Sequence, residues 1–280
     1  MGSRAPALPE FARPPLVETA LTVQFEKIEA LRTVHAGLLW DRLRAEFPDL
    51  EHVEEHPTIE QAIELPGAGG FRSAGVRLEL LGTHALPRLF FLTSDKTELV
   101  QFQADRLSHN WRKLGEGDRY PRYMQIRPTF ERELRLLDGF FADEKLGSIS
   151  PIQCEVSYIN HILPSGDDRR EIALGRVLKP WPAIFEGTAG CALEDASLTL
   201  RHELQDDSGN FLGRMIISAK PAIRRSDSRP LLVFELIARG RPIGNGISGA
   251  IGFIDRGREL LRRAFVEITT DEMHQVWGRS

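Results

Sequence analysis

The stretch RLFFLTSDKTELVQFQADRLSHNWR, residues 88–112, decides the fold of this chain. It contains three short runs rich in apolar and aromatic residues, at 88–93, 98–104 and 106–111. Turn-forming residues separate the runs, with Thr-Ser-Asp-Lys after the first and Ala-Asp after the second. Connections this short join neighbouring antiparallel strands, so the stretch predicts a β-meander.

The sequence around this meander predicts further strands and two helices. Residues 16–26 alternate apolar and polar positions, which is typical of a half-buried strand. A weaker alternation occupies 51–65, and 76–81 forms another apolar run. Apolar residues at helical spacing predict helices over 33–47, which Pro48 ends, and over 121–141.

The second half of the chain has a similar pattern. It predicts strands at 152–162, 196–204, 211–219 and 231–238, and an amphipathic helix at 247–265. Residues 164–194 are irregular, and Thr270 or Asp271 is placed to cap a short final helix.

The strands do not alternate with helices, which argues against a parallel doubly wound sheet. The expected fold is therefore α+β, built from two halves that each combine an antiparallel sheet with a long helix. We expect a flexible N-terminal tail over 1–15, an N-terminal half over 16–148 and a C-terminal half over 149–280.

Composition narrows the function classes. The chain has 36 basic and 40 acidic residues and a net charge of −4, which argues against a general affinity for nucleic acid or an anionic membrane. No stretch is long and apolar enough to span a bilayer, and the N-terminus lacks the apolar core of a signal peptide. We expect a cytoplasmic protein without a membrane partner.

The string His52-Val53-Glu54-Glu55-His56 spells H-x-x-E-H, which binds zinc when it lies on a helix. Here Pro48 and Pro57 leave no room for that helix. On a strand, His52 and His56 would share a face with Glu54 instead. A metal-dependent hydrolase that uses His52 and His56 is one hypothesis, and a solvated strand edge is the other. No further motif indicates a cofactor.

Residues 244–249 spell G-x-G-x-x-G before the last long helix. The tight strand-to-helix turn of a dinucleotide site is missing, because residues 239–243 separate the strand from the first glycine. The chain also has too few residues left for a second strand. A helix entry loop is the simpler interpretation, and an anion held at the helix N-terminus is the alternative.

A polar row lies on the strand at 106–112. Arg106, Ser108, Asn110 and Arg112 would line one face, while His109 and Trp111 would line the other. Such a row inside a curved sheet can recognise a ligand or partner. The alternative is a solvent face with cross-strand hydrogen bonds, with His109 as a packed core histidine.

Between Arg214 and Arg263 there are eleven basic residues and four acidic ones, an excess of seven. Residues 41–64 are acidic by comparison. This asymmetry predicts either a nucleic-acid surface or a face that meets an acidic partner, including a second copy of the chain. The residues assigned to nucleic acid are Arg224, Arg225, Arg229, Arg239 and Arg241.

Three segments resemble a sporadically distributed bacterial protein family of unknown function. They are PPLVETALTVQFE at 14–26, LVQFQADRLSHNWRKL at 99–114 and FIDRGRELLRRAFVEITTDEMHQVWG at 253–278. The matching positions are Arg106, Asn110, Trp111, Phe265, Thr269, Thr270 and Trp277. Members often carry a histidine in the last long helix near Gly257, and this chain does not. The resemblance implies no catalytic residue and no known ligand, and it points to a mobile or defence-linked gene cluster.

These observations favour a non-enzymatic binding or assembly protein that acts with a protein partner or as a homo-oligomer. The candidate binding residues are Arg106, Asn110, Trp111 and Arg112. Nucleic-acid binding and metal-dependent hydrolysis are the alternatives, so catalysis stays an open question.

Overall fold

The computed structural model describes residues 9–48, 53–56, 63–66, 87–163, 174–179, 196–224 and 227–280. The elements along these residues are β1 (Leu16–Phe25), α1 (Thr33–Leu43), β2 (Val53–His56), β3 (Arg88–Leu92), β4 (Glu98–Gln103), β5 (Arg106–Arg112), α2 (Tyr123–Asp143), β6 (Pro151–Ile162), α3 (Leu174–Val177), β7 (Leu198–Gln205), β8 (Phe211–Ile223), β9 (Pro230–Gly240), α4 (Gly246–Ile268) and α5 (Asp271–Val276).

The meander predicted from residues 88–112 is confirmed, since β3, β4 and β5 pair in sequence as antiparallel neighbours. The predicted strand at 76–81 lies outside the described residues. The first helix is shorter than predicted and ends at Leu43 rather than at residue 47. Pro48 disfavours helical backbone at the residue before it, so the chain turns while Phe47 remains buried.

The described strands form one antiparallel sheet of nine strands, in the order β2-β3-β4-β5-β1-β6-β9-β8-β7. The central strand is β1, which pairs with β6, and at least half of the residues in each of these two strands are buried. The predicted α+β class is therefore confirmed.

The strands of the two predicted halves belong to this one sheet. In each half the first strand pairs with the last strand of the following meander, β1 with β5 and β6 with β9. A long helix follows each meander. One sheet and one hydrophobic cluster nevertheless extend through both halves, so their separateness stays a prediction.

The two sides of the sheet differ in chemistry. We call the side that carries α2 and α4 the helix face. Leu21 of β1 lies opposite His109 of β5 and Val156 of β6, and the side chains of all three residues lie on the helix face. The other side, the polar face, carries Thr22 and its neighbours Ser108 and Glu155.

The helix face holds the hydrophobic core. The apolar stripe of α2 is buried on it, and Phe141 contacts Phe25 and Phe102 at ring distances of 6.1 and 6.4 Å. Burial of each such ring stabilises the fold by up to about 3 kcal/mol. Among the described residues, no helix is both long and apolar enough to cross a membrane.

The start and end of the described chain are joined. Phe11 forms a bridge with Arg279, and the amides of Ala12 and Arg13 donate to the carbonyls of Gly278 and Trp277. Residues 9–15, which the sequence assigns to a flexible tail, thus lie along the C-terminal segment. The predicted cap of the last helix is confirmed, because the Thr270 hydroxyl accepts from the Met273 amide.

Candidate functional site

A cavity of about 510 Å³ opens on the helix face between the start of α2, the second half of α4 and residues 9–14. We call it the tyrosine–arginine cavity after the tyrosine and arginine side chains that line it. These are Tyr120, Tyr123, Tyr158, Arg122, Arg258 and Arg262. Its volume falls in the range of small-molecule sites, which commonly occur between helices.

The protein has three tyrosines, and all three line this cavity. Tyr158 comes from the helix face of β6, opposite Thr19 of β1. Tyr120 and Tyr123 come from the turn before α2 and from its first turn. Tyr120 also packs on Trp111, with ring centroids 5.3 Å apart. Separate parts of the chain therefore bring three hydroxyl groups to one place.

The tyrosine hydroxyls keep their protons at neutral pH. Burial is the main cause that raises the pKa of all three groups. For Tyr158, nearby Arg258 and a hydrogen bond with Tyr120 oppose the rise only in part. The lining therefore carries uncharged hydroxyl groups rather than phenolates, although Tyr123 already donates its hydrogen bond to Asp255.

Two arginines enter the cavity from α4. Arg258 and Arg262 are one helical turn apart, so they lie on the same helix face. The Arg258 guanidinium lies 4.3 Å from the centroid of the Tyr123 ring, and its charge is one of the causes that lower the pKa of Tyr158. Arg262 donates to the Pro9 carbonyl at 3.4 Å. Burial and then Arg258 lower the pKa of Arg262.

Asp255 holds Tyr123 in place from outside the cavity lining. The Tyr123 hydroxyl donates to Asp255 Oδ1 at 2.5 Å, and Arg127 Nη2 donates to Oδ2 of the same carboxylate at 3.2 Å. This pairing fixes the Tyr123 ring under Arg258. It also directs the Asp255 charge towards Arg127.

The first turn of α2 forms another part of the wall. Arg122 precedes the helix with a φ of 71° and gives no side-chain cap. The first turn also carries no acidic residue. The positive end of the helix dipole therefore lies at the cavity without an acidic side chain from the first turn of α2 to balance it.

The remaining lining is mostly apolar. Leu236, Leu261, Phe265 and Val266 come from β9 and α4, while Pro9, Phe11, Pro14 and Leu16 come from the N-terminal segment. The ring of Phe11 packs against Phe265 at 5.5 Å and against Trp277 at 6.1 Å. The joined termini thus form one side of the cavity.

His274 supports this joined region. The Arg279 guanidinium can only donate, so its 2.9 Å contact requires an unprotonated Nδ1 on His274. The Nε2–H then donates to Thr269 Oγ1 at 2.8 Å, and Thr269 donates to the Phe265 carbonyl at 2.5 Å. Burial and Arg279 lower the pKa of His274. The neutral ring is therefore the form that this network accommodates.

The predicted polar row lies elsewhere, on the polar face. Asn110 donates to Glu18 at 2.8 Å and accepts from Gln101 at 2.8 Å. Arg106 is buried beside Asp105, and Arg112 donates to the Lys96 carbonyl at 3.0 Å. Cross-strand bonds thus account for Asn110, which matches the alternative interpretation of this row, and Arg112 bonds the turn between β3 and β4.

Trp111 is separated from the other three predicted binding residues. It lies on the helix face and is 3% exposed. Its contact with Tyr120 places it behind the cavity lining. Arg106, Asn110 and Arg112 project to the opposite face of the sheet.

His109 is buried on the helix face, away from the cavity lining. Its Nδ1 lies 3.0 Å from both oxygens of Glu133, and its Nε2 lies 3.5 Å from Glu98. Burial alone would lower the pKa of His109, but the two carboxylates raise it to about 10. Burial also raises the pKa of Glu133, and His109 opposes this rise; with Nδ1 at 3.0 Å from both carboxylate oxygens, we interpret the predicted core histidine as a buried cation paired with Glu133 of α2.

Several arginines of the arginine-rich region at 214–263 form ion pairs with carboxylates. Arg214 pairs with Glu64, and Arg239 with Glu155 at 2.5 Å. Arg224 and Arg229 both pair with Asp227. Arg241 is exposed after β9, and Arg225 lies outside the described residues. Glu64 and Glu155, which lie outside this region, thus compensate part of the local charge excess.

The two predicted motifs also have structural accounts. His56 ends an outer strand of the described sheet and stacks on Phe90 at 4.1 Å, while His52 lies outside the described residues. Within the described ranges, no three His, Cys, Asp or Glu side chains group to hold a metal. A Cβ on Gly249 would lie 2.5 Å from the Gly244 backbone, so tight packing of the loop before α4 requires this glycine.

A comparison with protein-family models found no match, and a comparison with curated proteins found no relative. The cavity is therefore interpreted from its own chemistry. Sequence reasoning missed it, although one signal was present. Arg258 lies within the apolar stripe of α4, between Ile254 and Leu261, where a charged side chain requires a buried partner.

Proposed function

We propose that this protein is a non-enzymatic binding protein whose ligand is a small organic molecule held in the tyrosine–arginine cavity. The observation that carries the proposal is the convergence of all three tyrosines with Arg258 and Arg262 around one cavity of about 510 Å³. Apolar walls with a few convergent polar groups are typical of sites that bind organic ligands.

The chemistry of the lining favours binding over catalysis. The described side chains that line the cavity include no histidine, cysteine, serine or lysine, and Glu10 is the one carboxylate among them. The tyrosines have raised pKa values and hold their protons. A general base works best with a pKa near the operating pH, and none of these groups is shifted towards it.

The wider predictions stay open alongside this proposal. They are a protein partner or homo-oligomer, a cytoplasmic location, a two-half organisation and a mobile or defence-linked gene cluster. The nucleic-acid alternative has less support, because Arg224, Arg229 and Arg239 are ion-paired within the chain. The hydrolase alternative rests on His52 and His56 alone.

The proposal is tested with N-phenyl-1-naphthylamine, an uncharged dye whose fluorescence rises in apolar sites. We expect saturable binding at one site in the wild-type protein. Val266→Trp fills the cavity from α4 and should weaken binding by at least about tenfold, equivalent to about 1.4 kcal/mol.

The matched control is Val34→Trp, since Val34 is 69% exposed on α1 and does not line the cavity. It should leave dye affinity unchanged. Melting temperatures of both variants establish that they fold. Undetectable binding to the wild type, or equal affinity in the two tryptophan variants, would refute the proposed function.

A further inference from the structure

We infer that the ligand of the tyrosine–arginine cavity is an organic anion, whose charged group lies against Arg258, Arg262 and the start of α2 while its apolar body packs on Leu261 and Phe265. The inference rests on the proposed function, because it names the class of molecule that the same cavity takes.

The first argument is the charge of the lining. Arg122, Arg258 and Arg262 bring three positive charges, and Glu10 brings one negative charge. The other carboxylates on this part of α4 have partners of their own. Glu259 pairs with Arg256 and Arg263, and Asp255 pairs with Arg127. Among the described side chains that line the cavity, positive charges therefore outnumber negative ones.

The second argument is the position of Arg258. Its Nε is buried and has no hydrogen-bond partner among the described residues. An unsatisfied buried donor costs free energy, and this cost is larger for a charged group. The flat side of the guanidinium rests on Tyr123, so the edge remains for a planar or tetrahedral anion.

The third argument is the repulsion between neighbouring cations. Arg258 is one of the causes that lower the pKa of Arg262, so each arginine destabilises the charge of the other. Like charges one helical turn apart are unfavourable. An anion between them would remove this repulsion. The uncapped N-terminus of α2 adds partial positive charge at the same place.

The rest of the lining shows that the anion needs an apolar body. Leu261 and Phe265 line the cavity from the same face of α4 as Arg258 and Arg262. Phe11 and Leu16 extend the apolar surface from the N-terminal segment. Inorganic phosphate alone would leave this surface unfilled, so the structure favours an aromatic or aliphatic carboxylate, sulfonate or phosphate ester.

Two matched dyes test the inference. 1-Anilinonaphthalene-8-sulfonate and N-phenyl-1-naphthylamine share one aromatic body, and only the first carries a negative charge. We expect the anionic dye to bind wild-type protein about 10- to 100-fold tighter than the neutral dye, because charge-assisted hydrogen bonds are made only by the sulfonate. This preference should weaken as the salt concentration rises.

Variants then locate the charge recognition. Arg258→Gln should reduce affinity for the anionic dye by at least about tenfold while leaving the neutral dye within about twofold. Arg258→Lys keeps the charge and should lose less. Arg256→Gln is the control, since Arg256 is on α4 but does not line the cavity. Arg262→Gln provides a second test if the Arg258 variants do not fold.

The outcomes separate the two claims. Equal affinity of the two dyes, or an unchanged ratio of affinities in both glutamine variants, overturns the anion inference and leaves the proposed function standing. Failure of both dyes to bind overturns the proposed function and the inference with it. Loss of the anionic dye alone in the Arg258 and Arg262 variants supports both.

Discussion

Glu133→Gln removes the carboxylate that His109 contacts inside the helix face. The side chains of both residues are almost fully buried, at 3% and 1% exposure. The amide has the size of the carboxylate but carries no charge. The substitution therefore leaves the His109 cation with only Glu98, which is 3.5 Å away and 33% exposed.

The expected loss of stability is large. Removal of one partner from a buried ion pair typically costs about 3–5 kcal/mol, because the other charge stays buried without compensation. Replacement of both residues by leucine removes both charges, and such a change is often neutral or stabilising. The double variant His109→Leu/Glu133→Leu should therefore be more stable than the single variant.

The same pair predicts a dependence of stability on pH. The pKa of His109 is raised from 6.5 in the unfolded chain to about 10 in the folded protein. A raised pKa means that the folded state binds the proton more tightly. The stabilisation is complete below pH 6.5 and is lost as the pH rises towards 10, with a limiting slope of about 1.4 kcal/mol per pH unit.

Urea unfolding followed by circular dichroism at several pH values between 6 and 9 measures both effects. The free-energy difference between wild type and Glu133→Gln should be largest at pH 6 and should shrink steadily as the pH rises. Groups that titrate in both proteins cancel in this difference. A difference that stays constant over this range would refute the interpretation of His109 as a buried cation.

Three further predictions concern other parts of the fold. Asn110→Ala should lower the free energy of unfolding by about 1–3 kcal/mol, measured by urea unfolding, and leave dye affinity unchanged, because Asn110 bonds Glu18 on the polar face. Phe11→Ala should weaken dye binding in fluorescence titrations, because Phe11 forms part of the cavity wall, and should lower the melting temperature, because the contact with Phe265 is lost. An unchanged dye affinity would contradict the assignment of Phe11 to the wall of the binding site. The melting temperature should also fall as the pH drops below 6.5, because the pKa of His274 is lowered on folding and the neutral ring is the stable form. The variant His274→Gln should show a smaller fall. An identical pH profile of the melting temperature in the variant and the wild type would contradict the assignment.

Local patterns were enough to predict most of the elements of this fold. Short turns between apolar runs predicted the meander at 88–112, and the apolar stripes of α2 and α4 predicted both long helices. The cap at Thr270 was predictable because a threonine hydroxyl can accept a hydrogen bond from a backbone amide in the first turn of a helix. These features depend on residues that are close in sequence, so local propensities determine them.

The pairing of β1 with β6 and the assembly of the cavity depend on contacts between distant residues. Tyr120 lies just before α2 and Tyr158 lies on β6. They line one cavity because α2 packs on the helix face of the sheet. The charge count over 214–263 did not include Glu64 and Glu155. These carboxylates come from other parts of the chain and pair with Arg214 and Arg239. A sum of charges over a sequence window cannot identify such partners.

The most direct test of the central claim uses the tyrosines themselves as reporters. Protein labelled with ¹⁹F or ¹³C in its tyrosine rings gives signals from three residues, and all three line the cavity. Titration with 1-anilinonaphthalene-8-sulfonate should shift the signals of Tyr120, Tyr123 and Tyr158 together, with one saturation curve that matches the fluorescence titration. Saturable fluorescence binding that leaves all three tyrosine signals unmoved would contradict the account.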